Sequence, residues 1–292
     1  MQAGKSNTLT RDGFNITLKT LHYQIHRTSK SEKWIVFLHG AGGSIATWKQ
    51  QLPAFKAQFN LLAIDLRDHG KSKNIDPSYA SYHFNIVSND ILEVLEKENI
   101  KKAHFVTLSF GSVLIQALYN RRSDLVDKMV IIGGIFNANW MIKGFVHLAR
   151  LFNLFLSYPA MYRIFSFLLM PKRRNQVARR VYQMQAKKLT QQEYLKWIGL
   201  YSEFFILLKK FSNQQIDQEM LIIMGGDDYI FLPSARQFAN NRQNASFSIV
   251  PKAGHICNIE KPSAVNKEIL NFLDAHKDLP ERRLTTVPFD TN

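Results

Sequence analysis

Residues 103–111, AHFVTLSFG, contain the strongest indication of the fold. Its first six residues form a mostly apolar run, which is typical of a strand buried on both faces of a parallel sheet. A helical pattern follows without a polar loop and continues to about Asn120. A strand that turns directly into a helix can hold a serine on a tight turn, so Ser109 is a candidate nucleophile. The alternative is that Ser109 only caps the helix.

Similar apolar runs recur along the chain and alternate with helical patterns. The other runs are residues 34–38, 61–64, 128–132, 220–224 and 246–250. Helical patterns cover residues 87–95, 234–240 and 263–275, and residues 14–26 suggest a hairpin or an edge strand. Strand and helix in alternation predict an α/β fold, with a mostly parallel sheet and helices on both faces.

Residues 136–215 interrupt this alternation, because they carry helical periodicity and no strand signal. We predict an all-helical cap, or lid, inserted into a core formed by residues 1–135 and 216–276. Pro159 fits the first turn of one cap helix. Thr190 and Glu193 form a capping box for another, predicted to continue through Phe205. Residues 277–292 are polar and predict a loose C-terminal tail.

Composition and charge limit the classes of function. The single cysteine, Cys257, excludes a disulfide framework and a multi-thiolate metal site, and we expect it to be a buried small residue. The N-terminus lacks the apolar run of a signal peptide, which favours the cytoplasm.

Positive charge is concentrated in the predicted cap. Residues 141–211 contain 13 Lys and Arg against only Glu193 and Glu203, so this segment carries +11 of a formal net charge of +15. The basic cap has three interpretations: a solvated face, a site for an anionic substrate, or a contact with an anionic membrane surface. No base-stacking module accompanies the charges, so nucleic acid is not an expected partner.

Three further motifs follow predicted strands. Residues 39–43, HGAGG, can turn sharply and present backbone N–H groups to an oxyanion, or can be an ordinary glycine-rich loop. They lack the lysine of a P-loop and the G-x-G-x-x-G spacing. Residues 225–228, GGDD, offer two aspartates that either orient a histidine or only shape a turn. His255 follows the last strand, and the chain order Ser, Asp, His suits a hydrolase of this fold.

These motifs together resemble the α/β-hydrolase superfamily, in its serine-nucleophile, esterase- or lipase-like branch with a helical lid. The similarity covers about residues 10–276 and is carried by the segments LHGAGG, DLRDHGKS, TLSFGS, GGDD and AGHICNIEKP. Two positions depart from the family pattern. Asp68 replaces a commoner glycine, and Thr107 replaces the first glycine of the G-x-S-x-G nucleophile elbow.

The resemblance implies a catalytic triad of Ser109 as nucleophile, His255 as base and Asp228, rather than Asp227, as the orienting acid. Some relatives place the acid after the preceding strand, but residues 133–140 contain no carboxylate. The implied oxyanion hole is formed by the backbone N–H groups of Ala41 and Phe110.

The predicted function is therefore hydrolysis of a carboxylic ester, with a small to medium acyl or aromatic substrate, through an acyl-enzyme. No metal or organic cofactor is expected. A carbon–carbon bond hydrolase, a thioesterase or a lyase would use the same triad. A ligand-binding signalling protein with little turnover is a further alternative, because Thr107 could distort the elbow.

Overall fold

A computed structural model describes residues 7–11, 14–18, 20–75, 79–137, 140–152 and 154–274. The predicted tail, residues 277–292, lies outside the described residues. Within the described residues, no helix combines the length and the apolar character needed to cross a membrane.

Seven strands form one sheet in the order β3-β5-β4-β6-β7-β8-β9. The strands are β3 (Tyr23–His26), β4 (Trp34–Leu38), β5 (Asn60–Ile64), β6 (Ala103–Leu108), β7 (Val126–Ile132), β8 (Met220–Gly225) and β9 (Ala245–Val250). Every neighbouring pair is parallel except β3 with β5. A separate antiparallel ribbon joins β1 (Asn7–Arg11) to β2 (Phe14–Leu18).

The central strands are covered on both sides. Side chains alternate between the two faces of a strand, and β4, β5, β6 and β8 are buried at every position. Helices must therefore cover both faces of the sheet, and the predicted α/β fold is confirmed.

Eleven α-helices are present in the described residues. They are α1 (Leu52–Phe55), α2 (Phe84–Lys97), α3 (Gly111–Arg122), α4 (Trp140–Phe152), α5 (Tyr158–Leu169), α6 (Gln176–Ala186), α7 (Gln191–Ile198), α8 (Tyr201–Asn213), α9 (Leu232–Asn240), α10 (Cys257–Glu260) and α11 (Pro262–Leu273). Helices α4 to α8 lie between β7 and β8 in the chain, and we call residues 140–213 the helical segment.

Two helix starts in the helical segment follow the predicted signals. Helix α5 begins at Tyr158 with Pro159 in its first turn. At α7, the Thr190 hydroxyl accepts a hydrogen bond from the Glu193 N–H, and the Glu193 carboxylate accepts one from the Thr190 N–H. This reciprocal pair satisfies two N–H groups that the start of a helix leaves without partners.

The prediction that α7 continues through Phe205 is wrong, because the helix ends at Ile198 and α8 begins at Tyr201. The Lys196 carbonyl accepts a hydrogen bond from the Tyr82 N–H of the core, 2.9 Å away. In a continuous helix this carbonyl would accept from Leu200. The same carbonyl also accepts the Gly199 N–H at 3.3 Å, and Gly199 is the C-cap of α7, a residue type that commonly ends helices.

Candidate active site

Ser109 lies on a strained turn between β6 and α3. Its φ angle is 51°, in the left-handed region that non-glycine residues rarely occupy. Its N–H donates to the Ile132 carbonyl of β7 at 2.9 Å, which fixes the turn to the neighbouring strand. Gly111 follows at the start of α3, and a Cβ there would overlap the Leu38 carbonyl oxygen. The turn therefore depends on a strained serine and on a residue without a side chain two positions later.

Thr107 fits the elbow without displacing Ser109. Its side chain is fully buried, and its hydroxyl donates to the Val130 carbonyl of β7 at 3.3 Å. The β-branched side chain therefore packs into the sheet beside the turn, and the backbone at Ser109 still adopts the elbow conformation.

His255 joins Ser109 to Asp228. Its Nε2 lies 2.7 Å from the Ser109 Oγ, and its Nδ1 lies 2.7 Å from the Asp228 Oδ2. The carboxylate can only accept, so Nδ1 carries the proton and Nε2 is left to accept the serine hydroxyl proton. The other carboxylate oxygen of Asp228 accepts the Phe231 N–H at 3.1 Å. The structure thus brings together the three residues that were proposed from the sequence.

Asp227, the neighbouring aspartate, faces the helical segment instead. It accepts hydrogen bonds from Lys172 at 2.7 Å and from two nitrogens of Arg174 at 2.7 and 2.8 Å. The Arg174 guanidinium is the main cause that lowers the pKa of the Asp227 carboxyl below its ordinary value. The two aspartates of GGDD therefore have separate environments, one at His255 and one against Lys172 and Arg174 of the helical segment.

The loop after β4 is held by two buried histidines. The His39 Nδ1–H donates to the Gly40 carbonyl, and its Nε2 accepts the Leu66 N–H at 3.0 Å. The Nε2 of His69 accepts the Gly42 N–H at 3.0 Å, and its Nδ1–H donates to the Arg67 carbonyl at 2.8 Å. Burial lowers the pKa of His39, and burial together with His39 lowers that of His69 to about 3. Both imidazoles are therefore neutral near pH 7.

The proposed oxyanion-hole groups lie beside Ser109. Ala41 and Phe110 line the same cavity as Ser109 and His255. Within the described part of the chain, neither the Ala41 N–H nor the Phe110 N–H donates a hydrogen bond to a protein acceptor. Gly42 has a φ of 72°, and a Cβ on it would lie 2.7 Å from the Tyr162 ring of α5. Helix α5 thus packs directly on this loop.

Sequence reasoning did not assign a role to His69 or to Tyr162. His69 belongs to the family segment DLRDHGKS. Its hydrogen bond with the Gly42 N–H forms only when the loops that carry the two residues pack together. Tyr162 belongs to α5, and nothing in the sequence of this helix indicates that it packs on Gly42. No local signal identifies either contact.

A cavity of about 140 Å³ opens at Ser109 and His255. The helical segment supplies much of its wall through apolar and tyrosine side chains: Ile142, Val146, Met161, Tyr162, Phe165, Leu169, Tyr182, Leu189, Tyr194, Trp197, Ile198, Tyr201 and Phe204. No Lys, Arg, Asp or Glu of the described chain lines it. An apolar cavity of about this size holds a benzene ring in another protein.

A second cavity, of about 50 Å³, also reaches Ser109 and His255. The glycine-rich loop 40–43, Tyr182 and Gln185 of α6 form part of its wall. The Gln185 side-chain oxygen accepts the Ser44 hydroxyl proton at 2.9 Å. Ser109 and His255 therefore lie between the larger cavity and a smaller one, which is lined by the glycine-rich loop, Gln185 and apolar side chains such as Val181 and Ile256.

Within the described residues, no group of three His, Cys, Asp or Glu side chains is arranged to hold a metal ion. Cys257 is fully buried, as expected, and burial raises the pKa of its thiol well above the ordinary value. A buried thiol of raised pKa is a poor nucleophile.

Comparison with known proteins places the chain in a family. The model of the alpha/beta hydrolase family matches residues 35–268, and the chain belongs to that family. The family assignment and the enzyme class that it implies agree with the sequence motifs.

Similar proteins extend over most of the chain. The RutD protein of Caulobacter sp. (strain K31), whose name describes a carbamate hydrolase, is 24% identical over 284 residues, 88% of this chain and 97% of that protein. Other curated relatives, 27–33% identical, align over less than half of their own length.

Solved structures share the fold at low identity. An enol-lactonase from Burkholderia xenovorans LB400 superposes with a TM-score of 0.71 and 20% identity, over 87% of this chain and 96% of that one. A thermophilic esterase from Thermogutta terrifontis gives a TM-score of 0.73 and 16% identity, over 94% and 99%.

Proposed function

We propose that this chain is a serine hydrolase that cleaves neutral carboxylic esters through an acyl-enzyme. The observation that carries the proposal is the hydrogen-bonded series from Ser109 through His255 to Asp228, with both distances 2.7 Å, at the mouth of an uncharged cavity. The enol-lactonase and esterase structures support the ester class, because an enol-lactone is a cyclic ester.

In the proposed reaction, the Ser109 oxygen attacks the ester carbonyl carbon while His255 Nε2 takes the hydroxyl proton. The negative oxygen of the tetrahedral intermediate accepts hydrogen bonds from the N–H groups of Ala41 and Phe110. The carbon–oxygen bond to the alcohol breaks, and His255 gives its proton to the departing oxygen. Water then attacks the acyl-enzyme, gives a proton to His255, and releases the acid as Ser109 regains its proton.

The two cavities suggest how an ester would lie. We propose that the acyl or aromatic acid part occupies the cavity of about 140 Å³, and that a small alcohol leaves through the one of about 50 Å³. Residues 136–215 would act as a cap, because their described side chains form much of the wall of the larger cavity. The bonds that join Asp227 to Lys172 and Arg174 would hold this cap over the sheet edge.

The charge of the substrate follows from the wall of the larger cavity. A carboxylate buried there would lose its hydration without meeting a basic partner, which is costly. The +11 charge of residues 141–211 therefore does not favour an anionic acyl group inside this cavity.

A matched pair of esters tests both parts of the proposal. Methyl hexanoate and monomethyl adipate have similar length, but only the second carries a carboxylate far from the ester. We expect turnover of methyl hexanoate, and a kcat/KM at least about tenfold lower for monomethyl adipate. The Ser109→Ala variant should hydrolyse neither ester measurably. Turnover that survives this substitution would remove Ser109 from its role, and preference for the charged ester would contradict the neutral cavity.

A further inference from the structure

Acidic residues are missing from a long part of the chain. From Lys128 to Gln192 there is no Asp or Glu, while the same stretch contains eleven Lys and Arg. A solvated surface normally mixes both signs of charge. The excess of positive charge therefore extends over most of the helical segment and is not confined to one helix.

Some of these basic side chains make intramolecular contacts. Lys172 and Arg174 pair with Asp227, and the buried Arg179 donates to the carbonyls of Met170 and Lys172. The basic side chains that are exposed and make no ion pair with a described residue are Lys143, Arg163, Arg173, Arg180, Lys187 and Lys188.

Exposed apolar side chains are concentrated in the same segment. The structure describes thirteen large exposed hydrophobic residues, and ten of them lie in the helical segment: Trp140, Leu151, Leu154, Phe155, Ile164, Phe167, Val177, Met184, Leu195 and Ile206. Single exposed apolar residues are ordinary, but a concentration of them marks a surface that binds a membrane, a ligand or another protein.

Helix α4 presents two different faces. Ile142 and Val146 are buried and line the larger cavity. Trp140, Lys143 and Leu151 are exposed, and their spacing places them together on the other side of the helix. Trp140 is the most exposed of the apolar residues, at 82%.

The turn after α4 extends the exposed face. The Leu154 N–H donates to the Leu151 carbonyl and the Phe155 N–H donates to the Phe152 carbonyl, both at 3.1 Å, so both residues are hydrogen-bonded to the end of α4. Leu154 and Phe155 are three and four residues beyond Leu151 and are 73% and 77% exposed. We call Trp140, Lys143, Leu151, Leu154 and Phe155 the α4 face.

We propose that the α4 face docks this protein on an anionic lipid surface. Tryptophan, leucine and phenylalanine are the side chains that enter the interface of a bilayer, and nearby lysine and arginine are attracted to anionic headgroups. A second copy of the chain fits less well, because pairing two such segments would bring like charges together. Docking would leave one helix, with a diameter of about 10 Å, between the lipid and the cavity.

Vesicle sedimentation tests the proposal. The full chain is mixed with vesicles of phosphatidylcholine alone, or with about a third of phosphatidylglycerol, at low and high salt. We expect the partition coefficient to be at least about tenfold higher on the anionic vesicles and to fall with salt. Equal binding to both vesicles, or binding to neither, would overturn the proposal.

Matched variants locate the surface. The double variant Leu154→Asp, Phe155→Asp should lower the partition coefficient at least about tenfold, because it removes two apolar side chains from the interface. Ile25→Asp changes an exposed apolar residue on the edge strand β3 and should leave binding unchanged. Lys143→Glu should weaken binding about fivefold or more, and Lys101→Glu, which changes an exposed lysine in the loop before β6, should not.

Two controls separate docking from the other possibilities. Ser109→Ala should bind vesicles like the wild-type protein, so that loss of the proposed hydrolase function does not affect this result. Sedimentation velocity without lipid should show the same state of association for the wild-type protein and for the double variant. A dimer that disappears with Leu154→Asp, Phe155→Asp would assign the α4 face to a second copy and overturn the proposal.

Discussion

The sheet edge and the helical segment position their residues by different means. At the sheet edge, Ser109, Asp228 and His255 each follow the carboxyl end of a parallel strand, and the pairing of the strands brings these ends together. In the helical segment, residues reach the cavity through side-chain packing between helices and the core. Backbone register makes the first arrangement robust, whereas the second depends on many individual contacts.

The two regions meet at a few identifiable contacts. Arg174 bonds to Asp227, next to the proposed orienting acid, and Asn175 donates to Glu260, which also accepts the Gly254 N–H beside His255. Tyr162 packs on Gly42 in the glycine-rich loop. The comparison therefore predicts large effects on turnover from changes at the sheet edge, and smaller effects from changes at the contacts.

The largest contrast is expected between the two adjacent aspartates. Asp228→Asn should lower kcat by about 10⁴-fold, because an amide in place of the carboxylate favours the wrong tautomer of His255. Asp227→Asn should keep kcat within a fewfold of the wild type, since the partners of the Asp227 side chain among the described residues are Lys172 and Arg174. Steady-state hydrolysis of p-nitrophenyl acetate measures both. Similar losses in the two variants would remove the distinction between the two environments.

Glycine positions provide the next contrast. Gly42→Ala should lower kcat/KM by about 10- to 100-fold, because alanine at a φ of 72° is strained and its Cβ collides with Tyr162 beside the proposed oxyanion hole. Gly144→Ala, on the exposed side of α4, meets no atom within 4 Å. It should preserve activity and stabilise the protein by about 0.5–1 kcal/mol. An unaffected kcat/KM in Gly42→Ala would argue against a role of this loop.

Thr107 should contribute to stability and not to catalysis. Thr107→Val removes a buried hydroxyl that donates to the Val130 carbonyl, and should lower the free energy of unfolding by about 1 kcal/mol. The kcat should change less than about twofold, which urea unfolding and ester hydrolysis can check on the same samples. A tenfold gain or loss in kcat would show that the residue shapes the elbow itself.

The smallest effect concerns the pairing of Asp227 with the helical segment. Because the pKa of Asp227 is lowered in the folded protein, its ionised form stabilises the fold above the ordinary carboxyl pKa, and this contribution is lost as the pH falls through the folded pKa. Lys172 and Arg174 are about half exposed, so the contribution should be at most about 1 kcal/mol.

Urea unfolding of the wild type and Asp227→Asn at several pH values measures this contribution. The difference in unfolding free energy should be constant above about pH 5 and should shrink below about pH 4. A difference that grows as the pH falls would contradict the ion pairing.

Elements defined by local sequence patterns were predictable. The strands β4 and β6 lie where the apolar runs predicted them, and the residues at the ends of β6, β8 and β9 meet as the parallel order requires. The start of α5 at Tyr158 and the capping box at Thr190 were predictable because they are local hydrogen-bonding patterns.

The contacts between distant segments were not predictable. Helix α7 ends at Ile198 with Gly199 as its C-cap, which is a local signal, but the bond from the Tyr82 N–H to the Lys196 carbonyl joins two residues that share no sequence signal. His69 acquires its contact with the Gly42 N–H only when two loops pack together. Composition alone indicated a basic segment. The wall of the larger cavity is nevertheless uncharged in the described residues, because the faces of the helices that line it carry apolar and tyrosine side chains.

Labelling with a fluorophosphonate tests whether His255 activates Ser109, since the reagent requires a serine activated by a neighbouring base. Intact-mass and peptide mapping should show one adduct per chain on Ser109, formed quickly in the wild type and at least about 10³-fold more slowly in His255→Ala. Modification of another residue, or an undiminished rate on Ser109 without the imidazole, would contradict the account.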